Sequence, residues 1–241
     1  MEEALALADY LPIEFKAEGE DKYIRFLWDA FQTNYEAEKY EFAGIAFHLL
    51  YMSFVSFSEW QIRAARLIDF DKALIGLVLD SETALLNADS PFKFFEKLKE
   101  SQLFRFLKLI GCNNQQVGEF AKFVKRRNKI AHPSGTVFFN DRASIDTELD
   151  LMMREVVNIQ AHMGPVISDV YTEFLTTSSD LETRQYSEPY EEIRVNLIHK
   201  NYMSQKDLDV CGTYDLAPLS THPNFADMDS LHTTLVNTYT L

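Results

Sequence analysis

Residues 40–66 read YEFAGIAFHLLYMSFVSFSEWQIRAAR. The first half is apolar nearly all the way round a helical period. A helix here has no face to give to water, so it belongs at the centre of a bundle. The run at 42–57 is interrupted by His48, Ser53 and Ser56, and falls short of the roughly 20 residues a membrane span needs. His48 on such a surface is expected to be a hydrogen-bonded core residue rather than a ligand. Glu59 and Arg63 stand one turn apart and are expected to form an ordinary i,i+4 pair. The alternative for Glu59 is a supporting carboxylate for a site elsewhere.

Working outward, Tyr23, Phe26, Leu27, Ala30, Phe31 and Asn34 recur at helical spacing and predict a helix over 21–37. Residues 1–19, broken at Pro12, form a lead-in with a short helix at most. On the other side, 70–86 reads as one or two shorter helices, with Gly76 as a break point. Ser90 and Pro91 suit an N-cap and a first helical position. Phe94, Phe95, Leu98, Leu103, Phe106, Leu107 and Ile110 carry that helix to Gly111. Asn113 and Gln116 then make a capping box that opens the next helix. A last long helix over 144–176 carries a methionine-rich apolar stripe through Met152, Met153, Ile159, Met163 and Phe174, with a kink expected at Gly164-Pro165. Beyond 178 the chain turns to Ser, Thr, Asp and Tyr. Residues 188–199 suit a short helix or a strand, and the rest reads as loop. No region alternates strand and helix. The fold class is all-α: a bundle of four to five main helices in 1–178, with a loop-rich C-terminal extension or small appended subdomain at 179–241.

The chain is 46% hydrophobic and 13% aromatic, enough for a real core and unlike a disordered sequence. Cys112 and Cys211, far apart, exclude a disulfide framework and offer no metal-type spacing; neither a metal nor a cofactor is expected. The acidic start, Met1-Glu2-Glu3, is unlike the positive start of a signal peptide. These features predict a cytoplasmic protein that does not engage a membrane. The net charge of −14 argues against nucleic acid until its distribution is read. Between Lys93 and Lys129 stand ten basic residues and three acidic ones, a local +7 that leaves −21 for the rest. An island of that kind is either a solvated face or a localised anion site.

The island ends in VGEFAKFVKRRNKIAHPSG, residues 117–135. On a helical wheel Val117, Phe120, Ala121, Phe123 and Val124 share one side, joined by Arg127 and Ala131. Lys122, Lys125, Arg126 and Lys129 point away, as a face that would guide a polyanion such as RNA. Arg127 therefore continues the buried stripe, where a guanidinium needs a carboxylate or an anion. His132 precedes Pro133, which disfavours helical backbone and places the imidazole at the helix end. Arg127 and His132 lie about 140° apart on an ideal helix. They converge only if the helix unwinds at His132 or if two copies meet across a twofold axis. An imidazole for proton transfer and a guanidinium for phosphate charge are what metal-free RNA cleavage requires. The ribose 2′-hydroxyl attacks the adjacent phosphate, leaving a 2′,3′-cyclic phosphate and a 5′-hydroxyl.

Arg127-Asn128, then three residues, then His132, at the end of a basic helix in an all-α chain, resembles the signature of the HEPN superfamily. The resemblance implies a helical bundle that dimerises with its motif facing the twofold mate. It also implies a metal-independent ribonuclease of toxin–antitoxin, CRISPR-associated or anti-phage type, in which Arg127 and His132 are catalytic and Asn128 orients or supports them. It covers the motif and, loosely, 20–178. A free ribonuclease would harm its host, so a co-encoded inhibitor or activator protein is a further expected partner. Ser134 stands where HEPN toxins neutralised by a nucleotidyltransferase antitoxin carry a tyrosine, so that mode of control is not implied. The alternative is a non-catalytic helical module that binds a protein partner or a nucleotide.

Overall fold

The computed structural model describes residues 2–132, 135 and 137–240, apart from the side chain of Leu79. Pro133, expected to end the motif helix, Ser134, and Thr136 of the following connector lie outside the described residues. The main helices are α1 (Glu18–Glu36), α2 (Tyr40–Ala65), α3 (Asn114–Ala131), α4 (Arg142–Ser178), α5 (Gln205–Gly212) and α6 (Phe225–Tyr239). No strand forms among the described residues, although an isolated antiparallel bridge joins Pro12 to Ser204. The fold class is all-α, as the periodicity predicts.

α2 is the central helix. It packs along α1 and α4 and against α3. Leu50, Tyr51, Met52 and Ser53, successive positions that go round its circumference, are all buried. Each such apolar side chain contributes roughly 1.5–3 kcal/mol by leaving water. By length and composition α2 could cross a membrane, yet 78% of its most apolar window is buried inside the fold. That burial is what an all-round apolar helix acquires at a bundle centre. The methionine-rich stripe of α4 is likewise core: Met152, Met153, Ile159, Met163 and Phe174 are buried. Gly164-Pro165, where a kink is expected, lies within the continuous helix.

The helix expected from Pro91 to Ile110 does not form in one piece. It divides into Lys93–Lys97, Glu100–Leu103 and a 3-10 turn at Phe106–Ile110. Leu98 (φ −123°, ψ 145°) and Lys99 (φ −70°, ψ 145°) are extended and break it. Phe94, Leu98, Leu103 and Phe106 are nonetheless buried, so this segment bends round the bundle to keep its apolar residues inside, and packing overrides period. Ser90 Oγ accepts from the Phe92 backbone at 3.3 Å, as a capping side chain does, and donates to Glu20 at 2.6 Å, although the regular helix begins only at Lys93. The segment closes at Gly111, whose φ of 88° is the left-handed conformation glycine adopts most easily.

The C-terminal residues hold more helix than their composition suggests. A short helix at Pro189–Glu192 leads into a π-helix at Ile193–His199, followed by α5 and α6. Their apolar faces join the same core as α2 and α4, through Ile193, Leu197, Leu208, Met228 and Leu231. Tyr202 donates to Glu20 of α1 at 3.0 Å, and Gln61 of α2 donates to Asp207 at 2.9 Å. These buried polar contacts tie the C-terminal segment to the bundle.

Candidate active site on the basic helix

α3 begins as its sequence dictates. Asn113 accepts from the Gln116 backbone at 3.0 Å, and the Gln116 side chain accepts from the Asn113 backbone at 2.8 Å. His162 of α4 anchors this end: its Nδ1 donates to the Ile110 carbonyl at 3.2 Å, which leaves Nε2 to accept from Gln116 at 3.0 Å. The apolar stripe seats α3 on the bundle through Phe120, Phe123 and Val124. Ala131, which the wheel places on the buried side, is exposed, because the last turn projects past the bundle.

Arg127 follows the buried stripe and meets a carboxylate there. Its Nη2 donates to Glu100, at the first turn of the short helix that Leu98 and Lys99 set off. The other carboxylate oxygen of Glu100 accepts from His48 Nε2 at 3.1 Å. Glu100 therefore bridges the motif arginine to the central helix. Burial pushes its carboxyl up, but the hydrogen bonds from His48 and Arg127 outweigh burial and hold it down at about 2. His48 is fully buried; burial lowers its pKa despite Glu100, and the Arg127 cation adds to that. A neutral imidazole donating from Nε2 satisfies both directions. Around the bridge, His48 Nδ1, Tyr51 Oη and Arg127 Nε are buried without hydrogen-bond partners among the described residues.

His132 is the C-cap of α3. Its backbone is extended (φ −99°, ψ 146°), and its N–H reaches the Asn128 carbonyl at 3.0 Å. Its side chain is exposed, five residues on from the half-buried Arg127. Asn128 is half-buried, and its side chain makes no hydrogen bond among the described residues. The structure holds Arg127 inward on Glu100 and His132 outward at the helix end.

The expected RNA face divides in two. Lys125 and Lys129 are exposed and form no ion pair among the described residues. Lys122 is engaged by Glu119. Arg126, expected to point away from the bundle, instead leans on Glu148 of α4 at 2.5 Å. All three carboxylates of the basic island are consumed within it: Glu96 by Lys93, Glu100 by Arg127 and Glu119 by Lys122. The surplus positive charge therefore rests on residues such as Lys97, Lys99, Arg105, Lys125 and Lys129, all exposed.

Two side chains of α2 depart from expectation. Glu59 and Arg63 do not pair. Arg63 donates to the carbonyls of Leu85 at 2.8 Å and Ala88 at 2.9 Å, capping the end of the Leu79–Leu86 helix. Glu59 is completely buried with both oxygens unpartnered among the described residues, and burial raises its carboxyl well above the usual range. The carboxylate beside Arg127 is Glu100, which the sequence did not single out. Flanked by Lys97, Lys99 and Arg105, it looks like a local counter-ion.

Among the described residues no cluster of His, Cys, Asp and Glu is placed to hold a metal ion. Compared with known proteins, the chain matches no family, no curated protein and no solved structure. The functional reading therefore rests on the residues themselves.

Proposed function

We propose that this chain is a metal-independent endoribonuclease, active as a homodimer in the cytoplasm and serving as a toxin or anti-phage effector. The observation that carries this reading is the division of labour at the end of α3. Arg127 is held in place by an ionised Glu100, while His132 stands exposed at the helix terminus. In the proposed reaction His132 accepts the proton of a ribose 2′-hydroxyl as that oxygen attacks phosphorus. Arg127 balances the charge that builds on the phosphorane oxygens. The 5′-oxygen departs and takes up a proton from water, and His132 later releases the proton it accepted to solvent. Arg127 and His132 project differently from one helix, so a second copy of α3 facing the first would complete each site. Lys125 and Lys129 would hold flanking phosphates, and Asn128, between the pair, would orient the substrate.

The engagement of Arg127 by Glu100 favours one other reading, a non-catalytic helical module in which the pair is structural and the exposed face binds a protein partner or a nucleotide. Purified protein incubated with RNA in EDTA separates the two, beside His132→Ala and Arg127→Ala. The ribonuclease reading expects cleavage in chelator, products ending in 2′,3′-cyclic phosphate, and loss in both variants. Activity abolished by EDTA, or retained in both variants, overturns it.

A further inference from the structure

A cavity of about 820 Å³ opens between α1, α2 and the 89–100 segment, away from the exposed face of α3. Its apolar wall is formed by Leu49, Met52, Phe92 and Phe95. The Tyr23 and Phe92 rings meet edge to face at 5.3 Å and stiffen one side. Tyr23 lines the cavity, and its hydroxyl makes no hydrogen bond among the described residues. Two carboxylates in the wall are already satisfied. Glu20 accepts from Ser90 and Tyr202 at 2.6 and 3.0 Å, and Glu100 accepts from His48 and Arg127. A third, Asp89, sits exposed at the rim.

Of the two lysines at this cavity, Lys93 is paired among the described residues and Lys16 is not. Lys16 lines it with no carboxylate in ion-pair range among the described residues. Its ammonium lies 4.6 Å from the ring centroids of both Trp60 and Tyr202. Arg63 also stacks on Trp60, 4.0 Å from its ring centroid, and among the described residues it is bonded only to carbonyls. Burial, helped by repulsion from Arg63 and Lys200, outweighs Glu20 and lowers the Lys16 ammonium to about 8. A second cation, Lys93, also lines the cavity and is held at the surface by Glu96. On a chain of net charge −14, an unpaired cation at the wall of an aromatic cavity is a local invitation to an anion.

We propose that this cavity is a binding site for a small organic anion, with a flat aromatic or short acyl body against Met52, Phe92 and Phe95 and a single anionic head on Lys16. The size and mixed lining are those of small-molecule sites, apolar walls with few polar groups. The proposal does not rest on the ribonuclease reading, because neither Arg127 nor His132 lines the cavity.

The test uses 1-anilinonaphthalene-8-sulfonate, an aromatic anion whose fluorescence rises when it leaves water, titrated into the full chain. Saturable one-to-one binding is expected. Lys16 is exposed over the side chain as a whole, with its ammonium sheltered against the Trp60 and Tyr202 rings, so Lys16→Met leaves the core intact; it should weaken binding by about tenfold, the worth of one charge-assisted contact. Leu49→Trp, at a half-buried position facing the cavity, should fill the space and abolish binding while circular dichroism remains that of the wild type. Displacement by decanoate identifies the acyl source of the chemistry, and displacement by adenosine monophosphate the nucleotide source. Absence of saturable binding overturns the proposal. So does an affinity unchanged in Lys16→Met, which keeps the inference testable should Leu49→Trp fold poorly.

Discussion

Arg127 closes on Glu100, a carboxylate 27 residues earlier in the chain, and the same carboxylate accepts from His48 of the central helix. The motif arginine is thereby fixed to the bundle core by a residue that does not belong to the motif. The arrangement exists because the chain breaks at Leu98 and Lys99. A continuous helix would carry Glu100 on a different course, and the break lets it start a short helix against α2 and α3.

Glu100→Gln should therefore lower stability at neutral pH by about 1–3 kcal/mol, since it leaves a partly buried guanidinium without its counter-charge. The side chains of Arg127 and Glu100 are 24% and 18% exposed, so solvent screens part of the pair. The pH dependence gives the sharper check. The folded carboxyl sits at about 2, below its ordinary value. Its stabilisation is complete above the ordinary carboxylate range and is lost as pH falls toward 2. In urea unfolding, the wild type's advantage should shrink between pH 5 and pH 3. An advantage that stays constant with pH would show that Glu100 does not act through its charge.

Glu59 has the opposite sign. Its folded pKa is raised by burial, so it is accommodated while protonated and becomes a liability once the unfolded chain ionises it. Stability is fully present below the ordinary carboxylate range and falls as pH rises through it. The penalty approaches 1.4 kcal/mol per pH unit for one proton. Glu59→Gln does not titrate and should gain on the wild type progressively from pH 5 to pH 8. Parallel stability curves for the two proteins would mean that Glu59 meets a donor or a cation that lets it ionise in the fold.

These two glutamates show where the sequence was readable. The Asn113 cap, the inward turn of Arg127 and the extended backbone at His132 each follow from local chemistry, and each was legible. The Glu59–Arg63 spacing was also local, and it misled. Arg63 found three backbone carbonyls at a neighbouring helix end, a partner set that only the tertiary fold creates. Glu100 was missed for the same reason, since its partners come from two other helices. The break at Leu98 was hidden because the apolar period runs straight through it. The C-terminal helices were hidden by many Ser and Thr residues. Their apolar faces are narrow, yet Leu208, Met228 and Leu231 suffice to dock them on a core already formed.

The connector after the motif is held close to α2. Glu41 accepts from the backbone of Phe138 at 3.1 Å and of Phe139 at 3.2 Å. A Cβ at Gly44 would stand 2.9 Å from the Phe139 ring and 3.3 Å from Ile145. Gly44→Ala should thus force the ring outward and destabilise by about 1–3 kcal/mol, as overpacking does. Adding Phe139→Leu should restore part of the loss, and a double-mutant cycle in thermal unfolding measures the coupling. Strictly additive losses would place the strain elsewhere.

Ionic bookkeeping on α3 separates residues that a wheel treats alike. Lys125 and Lys129 are unpaired among the described residues, whereas Lys122 holds Glu119 and Arg126 holds Glu148. If RNA lies along this face, each free lysine releases one condensed counter-ion on binding. Replacing both by alanine should then reduce the salt slope of single-stranded RNA affinity by about 1.4, at about 0.7 per phosphate contact. Lys122→Ala should change the slope less, because its charge is already half spent on Glu119. Arg126→Ala should act mainly on stability, since it strands Glu148, which is 9% exposed and whose carboxyl burial already raises. Affinities of the wild type and these three variants, measured at several salt concentrations, decide it. Equal slope changes from all four residues would mean the intramolecular pairs open on contact with RNA. No change from Lys125 and Lys129 would remove this face from the RNA path.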